Sequence, residues 1–210
     1  MKVDKLTLGS FAVNCYIVDV DNNAIIIDPG SGFEEIEKYL SSKGLNPLTI
    51  INTHGHYDHI GAVNQLLEKY EIDFYIHQQE ERYLKDCDFN LSLMVAQKAY
   101  RVNDYKIIDS KAVKFFAGLG LEILHTPGHT PGSISIIGNG WLFCGDLLFK
   151  QAAGRTDLPG GDSRELKNSL KKIRKMDRNL VIYPGHGQKT SLGWELDNNY
   201  YLSHDFLGKE

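Results

Sequence analysis

Residues 48–61 read LTIINTHGHYDHIG. The apolar pair Ile50 and Ile51 reads as the end of a buried strand. Directly after it His54, His56, Asp58 and His59 fall within six residues, flanked by Gly55 and Gly61 and followed by the helix-like run AVNQLLEKY. One histidine on a surface loop usually carries no chemistry, but three with an aspartate leaving one strand end together have the composition of a metal site. Imidazole nitrogen suits zinc, copper, iron and nickel, and a carboxylate adds charge and hardness. The stretch supplies a first metal and enough ligands to begin a second.

Upstream, residues 3–8, 14–20 and 24–28 are β-branched runs separated by short polar turns, and they predict an antiparallel meander. The DPG at 28–30 stops the third run. Residues 33–43 carry Phe33, Ile36, Tyr39 and Leu40 on one side, the pattern of an amphipathic helix, and Gly44 ends it. Strand 48–52, the histidine loop, helix 62–70 and strand 73–76 make an α/β unit with its chemistry at the carboxyl end of a strand. Residues 77–104 are polar and interrupted, and are expected to lie over the site as helices and loop. Residues 113–116, 121–125, 133–137 and 141–144 read as strands of a second sheet. Loop 145–161, with four glycines and Pro159, leads into helix 162–176, where Asp162 and Glu165 have the spacing of a capping box. Strand 180–183 precedes a PGHG turn. Two sheets flanked by helices is the architecture this order predicts.

Further ligand candidates follow strand ends in the same way. His129 sits in HTPGHTPG, stiffened by Pro127 and Pro131 and given backbone freedom by Gly128 and Gly132. His125, four residues earlier, lacks that frame and reads as structural. Asp146 follows WLFCG and His186 follows VIYPG, repeating the order strand, glycine, ligand. His77 and His204 have no such setting. Five histidines and two aspartates exceed what one tetrahedral ion can use. Two ions fit better; in hydrolytic sites such a pair lies ~3.5–4 Å apart and shares a bridging ligand. Asp146, the single carboxylate outside the first cluster, is the natural shared one.

The totals narrow the class. At 210 residues the chain has room for one large core, and a single domain over residues 1–210 is expected. The balance of 23 Lys and Arg against 27 Asp and Glu gives a formal charge of −4 with no long block of either sign. Nothing there favours nucleic acid or a membrane surface as partner; a small molecule is expected instead. The opening MKVDKLTLGS lacks the apolar core of a signal peptide, and no run has the length of a membrane span, so a cytoplasmic location is expected. Cys15, Cys87 and Cys144 are odd in number, widely spaced and form no C-x-x-C pair. They read as small buried hydrophobes rather than a disulfide framework.

The ordered set IIIDPG, THGHYDH, TPGHTPGS, FCGDLLF and YPGHG resembles the metallo-β-lactamase superfamily through the whole chain. The resemblance implies an α+β fold, a four-layer αββα sandwich with metals between the upper edges of its two sheets. It implies that His54, His56 and His129 hold one metal, that Asp58, His59 and His186 hold the other, and that Asp146 bridges. Asp58 and Asp146 are then the catalytic carboxylates, and Asp28 orients ligands or water without binding metal. The runs GDLLFKQAAGRTDLPGGD and PGHGQKTSLGWE are similar to the glyoxalase II group, especially its short single-domain members. Those hydroxyacylglutathione hydrolases cleave the thioester of S-lactoylglutathione.

The implied reaction is attack on a thioester by a metal-bridging hydroxide, with two divalent ions, zinc ahead of iron or manganese. Longer members of the group carry a helical C-terminal domain that supplies much of the glutathione site, and this chain ends at residue 210. The expectation is therefore hydrolysis of a thioester such as S-lactoylglutathione or a related acyl thioester, with recognition of the glutathione half left open. Metallo-β-lactamases proper commonly place a cysteine where Asp146 stands, which disfavours antibiotic hydrolysis. Arg155, in GRTD, either meets a substrate carboxylate or ties its own loop to Asp157. Two other readings make different demands. One is a persulfide dioxygenase with a single iron on His54, His129 and Asp146; the other is a non-catalytic module that metal merely stabilises.

Overall fold

β-Branched runs build the sheet of the first unit in the computed structural model, which describes residues 1–208 and divides into Met1–Ala112 and Val113–Glu210. β1 (Lys2–Leu8), β2 (Val13–Val20) and β3 (Asn23–Ile27) pair antiparallel. α1 (Phe33–Lys43) then leads to β4 (Asn46–Ile51), which lies parallel to β3 with Ile27 opposite Ile51. α2 (Tyr57–Ile60) and α3 (Val63–Tyr70) lead to β5 (Asp73–Ile76), and α4 (Glu81–Lys85) to the short β6 (Lys106–Ile107). The six strands stand in chain order, parallel from β3 onward. Ile25, Ile26, Ile27, Ile50 and Ile51 are fully buried, as continuous apolar runs are in the interior strands of parallel sheets. The edge strand β1 carries Lys2, Asp4 and Lys5, charges that discourage pairing with a further strand.

The helices answer to the same core. Ile36 and Leu40, one turn apart on α1, pack with Ile17, Ile26, Ile50 and Leu66. Gly44 takes φ 63° and its N–H reaches the carbonyls of Leu40 and Ser41, so the helix stops where a left-handed residue can close it.

In the second unit a strand expectation fails. Residues 113–116 belong to α5 (Ser110–Gly118). The run VKFF is short and apolar, and β-branched and aromatic residues alone do not separate strand from buried helix. Asp109 settles it: its carboxylate accepts the N–H groups of Lys111 and Ala112, both at 2.9 Å, as an N-cap does. Ala112 and Phe116, four apart, are buried, whereas Val113 and Phe115 are exposed.

β7 (Glu122–His125), β8 (Ile134–Gly138) and β9 (Trp141–Gly145) form a meander. Next come a hairpin, β10 (Leu148–Phe149) with β11 (Ala152–Ala153), and then α6 (Ser163–Arg174). β12 (Val181–Pro184) pairs parallel to β9 and antiparallel to β13 (Thr190–Ser191), giving the order β13-β12-β9-β8-β7. α7 (Leu192–Asn198) and α8 (His204–Leu207) follow. Leu166, Leu170 and Ile173 on α6 pack with Leu142, Ile182 and Leu192. Asp162 caps α6 by accepting from Arg164 and Glu165. The expected reciprocal bond from the Asp162 N–H to the Glu165 carboxylate does not form, because that N–H is donated to the Gly128 carbonyl at 2.8 Å. Among the described residues no helix is long and apolar enough to cross a membrane.

Two measurements check these assignments. Phe116→Ala should cost about 3–5 kcal/mol in urea unfolding, and Phe115→Ala less than about 1 kcal/mol; equal losses would contradict the helix. Burial, with the Asp4 carboxylate adding to it, pushes the Tyr39 phenol up to about 12. A phenol raised above its unfolded value of about 10 favours the fold in its protonated form. That contribution is complete below about pH 10 and is lost as pH rises through about 12, so Tyr39→Phe should lessen the alkaline decline in stability over that window.

Candidate metal centre

In the first unit the ligand loop begins where β4 ends. His54 and His56 precede α2, and its single turn carries Asp58 and His59 on consecutive residues. The His54 ring lies 4.9 Å from that of His56 and 4.1 Å from that of His59. Ligand atoms of His54 and His56, of His54 and His59, and of Asp58 and His59 come within 4.8 Å of each other. All three histidines are buried.

Asp28, at the end of β3, holds this loop. One carboxylate oxygen accepts the Thr53 N–H at 2.7 Å; the other accepts the Thr53 hydroxyl at 2.6 Å and lies 3.0 Å from His59 Nδ1. With its proton committed to Asp28, Thr53 Oγ1 accepts from His54 Nδ1 at 3.2 Å. In both histidines the proton is thereby favoured on Nδ1, which makes Nε2 the lone-pair nitrogen. Glu80, buried, accepts the Gly55 N–H at 2.8 Å, and Tyr83 stands edge-on to His56 at 5.5 Å. Gly30 is needed for the approach of α2, since a Cβ there would overlap the Asp58 carbonyl oxygen.

In the second unit, parallel pairing of β9 and β12 places Asp146 and His186 just beyond neighbouring strand ends, joined by a Gly185 N–H to Gly145 carbonyl bond of 2.8 Å. A single carboxylate oxygen of Asp146 lies 3.6 Å from His129 Nε2 and 3.7 Å from His186 Nε2. His129 Nδ1 donates to the main-chain carbonyl of Arg155 at 2.8 Å. The β10–β11 hairpin returns the chain to make that bond, and Gly154 permits it, because a Cβ there would overlap the Asp146 carbonyl oxygen.

The Arg155 guanidinium forms a two-bonded pair with Asp157, at 2.7 and 2.8 Å, and holds the Asp157 carboxyl down to about 2. Arg155 also borders a cavity of about 500 Å3 with Asp146, Phe149 and His186.

The remaining histidines have other work. His125 Nε2 meets the Pro131 carbonyl at 2.9 Å, His77 caps a turn at Gln79, and His204 faces Arg174. The three cysteines are buried and unbridged, and the Cys144 thiol donates to the Leu148 carbonyl at 3.2 Å. The candidate donors are thus imidazole nitrogens and carboxylate oxygens, with Nδ1 hydrogen-bonded at His54 and His129 and set beside the Asp28 carboxylate at His59. That set fits a divalent zinc, iron or manganese ion.

Sequence reading missed the supports: Glu80, Tyr83 and the Arg155 carbonyl. No residue type announces a main-chain carbonyl, while Glu80 reads as one more polar residue in an interrupted stretch. Asp28→Asn should weaken metal binding about 10–100-fold, read by competition with a chelator. Arg155→Ala should leave it within about twofold, because the carbonyl that orients His129 remains. The reverse order would contradict these assignments.

Residues 8–186 match the metallo-beta-lactamase superfamily. The hydroxyacylglutathione hydrolase GloC of Haemophilus influenzae is 32% identical, with 97% of this chain and 99% of that protein aligned. The crystal structure of the BLEG-1 B3 metallo-beta-lactamase is similar with a TM-score of 0.89 and 33% identity, covering 96% of this chain and all (100%) of that one. TTHA1623, solved in a di-iron-bound form, gives 0.85 and 32% over 95% of this chain and 100% of that one. The mixed α/β architecture is accordingly the metallo-β-lactamase fold, and the chain belongs to the metallo-β-lactamase superfamily.

Proposed function

We propose that the protein is a binuclear metal-dependent hydrolase of acyl thioesters. In this reading His54, His56 and His129 hold one divalent ion, Asp58, His59 and His186 hold another, and Asp146 is shared. The observation that carries it is the single Asp146 oxygen set 3.6 and 3.7 Å from two imidazole nitrogens assigned to different ions. A shared carboxylate needs that position. When bound, such ions supply a water acidified toward a pKa of ~7 and polarise a carbonyl oxygen.

The chain's own residues hold the geometry. Asp28 and Thr53 fix the rings of His54 and His59, Glu80 fixes the turn between His54 and His56, and the Arg155 carbonyl fixes His129. A thiolate leaving group, with an unperturbed pKa near ~8.5, departs without a dedicated protein acid. Similarity to GloC supports the thioester as substrate. Nitrogen and oxygen donors suit zinc, and the di-iron form of TTHA1623 makes iron the alternative to test.

Metal analysis together with a substrate panel tests the reading. Two ions per chain and cleavage of acyl thioesters, with S-lactoylglutathione among them, are expected. About one iron per chain with oxygen uptake on a persulfide would sink it in favour of the dioxygenase. Turnover of β-lactams alone, the chemistry of BLEG-1's class, would replace the substrate and keep the metals. His54→Ala should lower kcat/KM about 10³-fold or more; a loss of thermal stability with no activity in either protein would leave a purely structural metal.

A further inference from the structure

A cavity of about 310 Å3 opens in the first unit beside Asp58, walled by the turn between β1 and β2, by Tyr57 and by Val95, Ala96 and Tyr100. That volume is at the lower end for small-molecule pockets. Its wall is aromatic. Phe11 meets Tyr57 edge to face at 5.7 Å, and Tyr57 lies 5.8 Å from Tyr100. Phe11 is 47% exposed and Val95 38%, so large apolar side chains stand at the opening instead of in the core. Among the described residues that line the cavity, Asp58 is the only charged side chain.

This wall is built by buried polar groups. Asn90 is fully buried; its carbonyl accepts the Tyr57 N–H at 3.0 Å, and its side-chain amide donates to the carbonyls of Tyr83 and Tyr100, each at 2.8 Å. Its side-chain oxygen accepts the Ser92 N–H at 3.0 Å, and the Ser92 hydroxyl accepts the Tyr100 N–H at 3.2 Å. Leu91 at φ 70° and Gln97 at φ 52° bracket the intervening π-helical turn in left-handed backbone, which non-glycine residues adopt only when their surroundings impose it. One buried asparagine thus sets both tyrosine walls.

We propose that this cavity receives the acyl group of the substrate, and that Phe11, Tyr57 and Tyr100 make the protein selective for uncharged alkyl and aryl acyl groups. The inference rests on the thioester reading above. Common thiol carriers bear carboxylates or phosphates, and the residues lining this wall include no lysine or arginine to pair with them. An alkyl or aryl group gains by leaving water for the same wall. The acyl side is therefore the half of the substrate that suits it.

The test uses the metal-loaded protein and thioesters of N-acetylcysteamine, an uncharged thiol. From acetyl to hexanoyl, kcat/KM should rise about threefold per methylene, and succinyl should fall about tenfold or more below butanoyl. Phe11→Ala, at an exposed position, should flatten the series, lowering the hexanoyl thioester relative to the acetyl one. A flat series in the unsubstituted protein, or one untouched by Phe11→Ala, overturns the proposal. Ketone analogues with CH2 in place of sulfur cannot be cleaved and are titrated by calorimetry. Affinity that grows with acyl length and is lost in Phe11→Ala upholds the pocket even where no thioester turns over, in which case the hydrolase reading alone has failed. Binding indifferent to acyl length overturns the pocket.

Discussion

A carboxylate withdrawn from water must be paired, and the Asp28 side chain, 1% exposed, takes its partners from the ligand loop: the Thr53 N–H, the Thr53 hydroxyl and the His59 ring. Because β3 and β4 are parallel neighbours with Ile27 opposite Ile51, their carboxyl ends fall at one edge, and Asp28 reaches the loop that leaves the next strand. The register of the sheet therefore determines where the histidines stand. A slip of one residue would turn the side chains to the opposite face and break the contact.

The second unit meets the same need with different means. There β9 and β12, also parallel, bring Asp146 and His186 to adjacent ends, but His129 arrives on a loop and is aimed by a main-chain carbonyl. Side-chain chemistry does the positioning on one side, and the path of a short hairpin does it on the other. In both, a glycine admits backbone where any side chain would collide: Gly30 against Asp58 and Gly154 against Asp146.

Much of this could be read from residue types and spacing, because the information is local. The isoleucine runs of β3 and β4 announce buried strands, and Ile36, Leu40 and Gly44 announce a helix and its end. The one-turn α2 and the two-residue strands β10 and β11 could not be read, since elements that short offer no period to detect. VKFF misled because its apolar residues suit either structure, and the decisive cap lies four residues earlier at Asp109. Among the candidate ligands, identity and strand-end position were legible, whereas their support was not. Asn90, Glu80 and Arg155 act through contacts that depend on the completed fold, and two of these three act partly or wholly through main-chain atoms.

The bond from His129 to the Arg155 carbonyl separates two demands usually laid on one residue. Ring orientation depends on where the chain passes and is indifferent to what side chain that residue bears. The guanidinium, held by Asp157 at the border of a cavity, can then be exchanged without disturbing the histidine. Position 155 is thus a point where the side chain bordering the cavity can vary while the orientation of His129 is inherited intact.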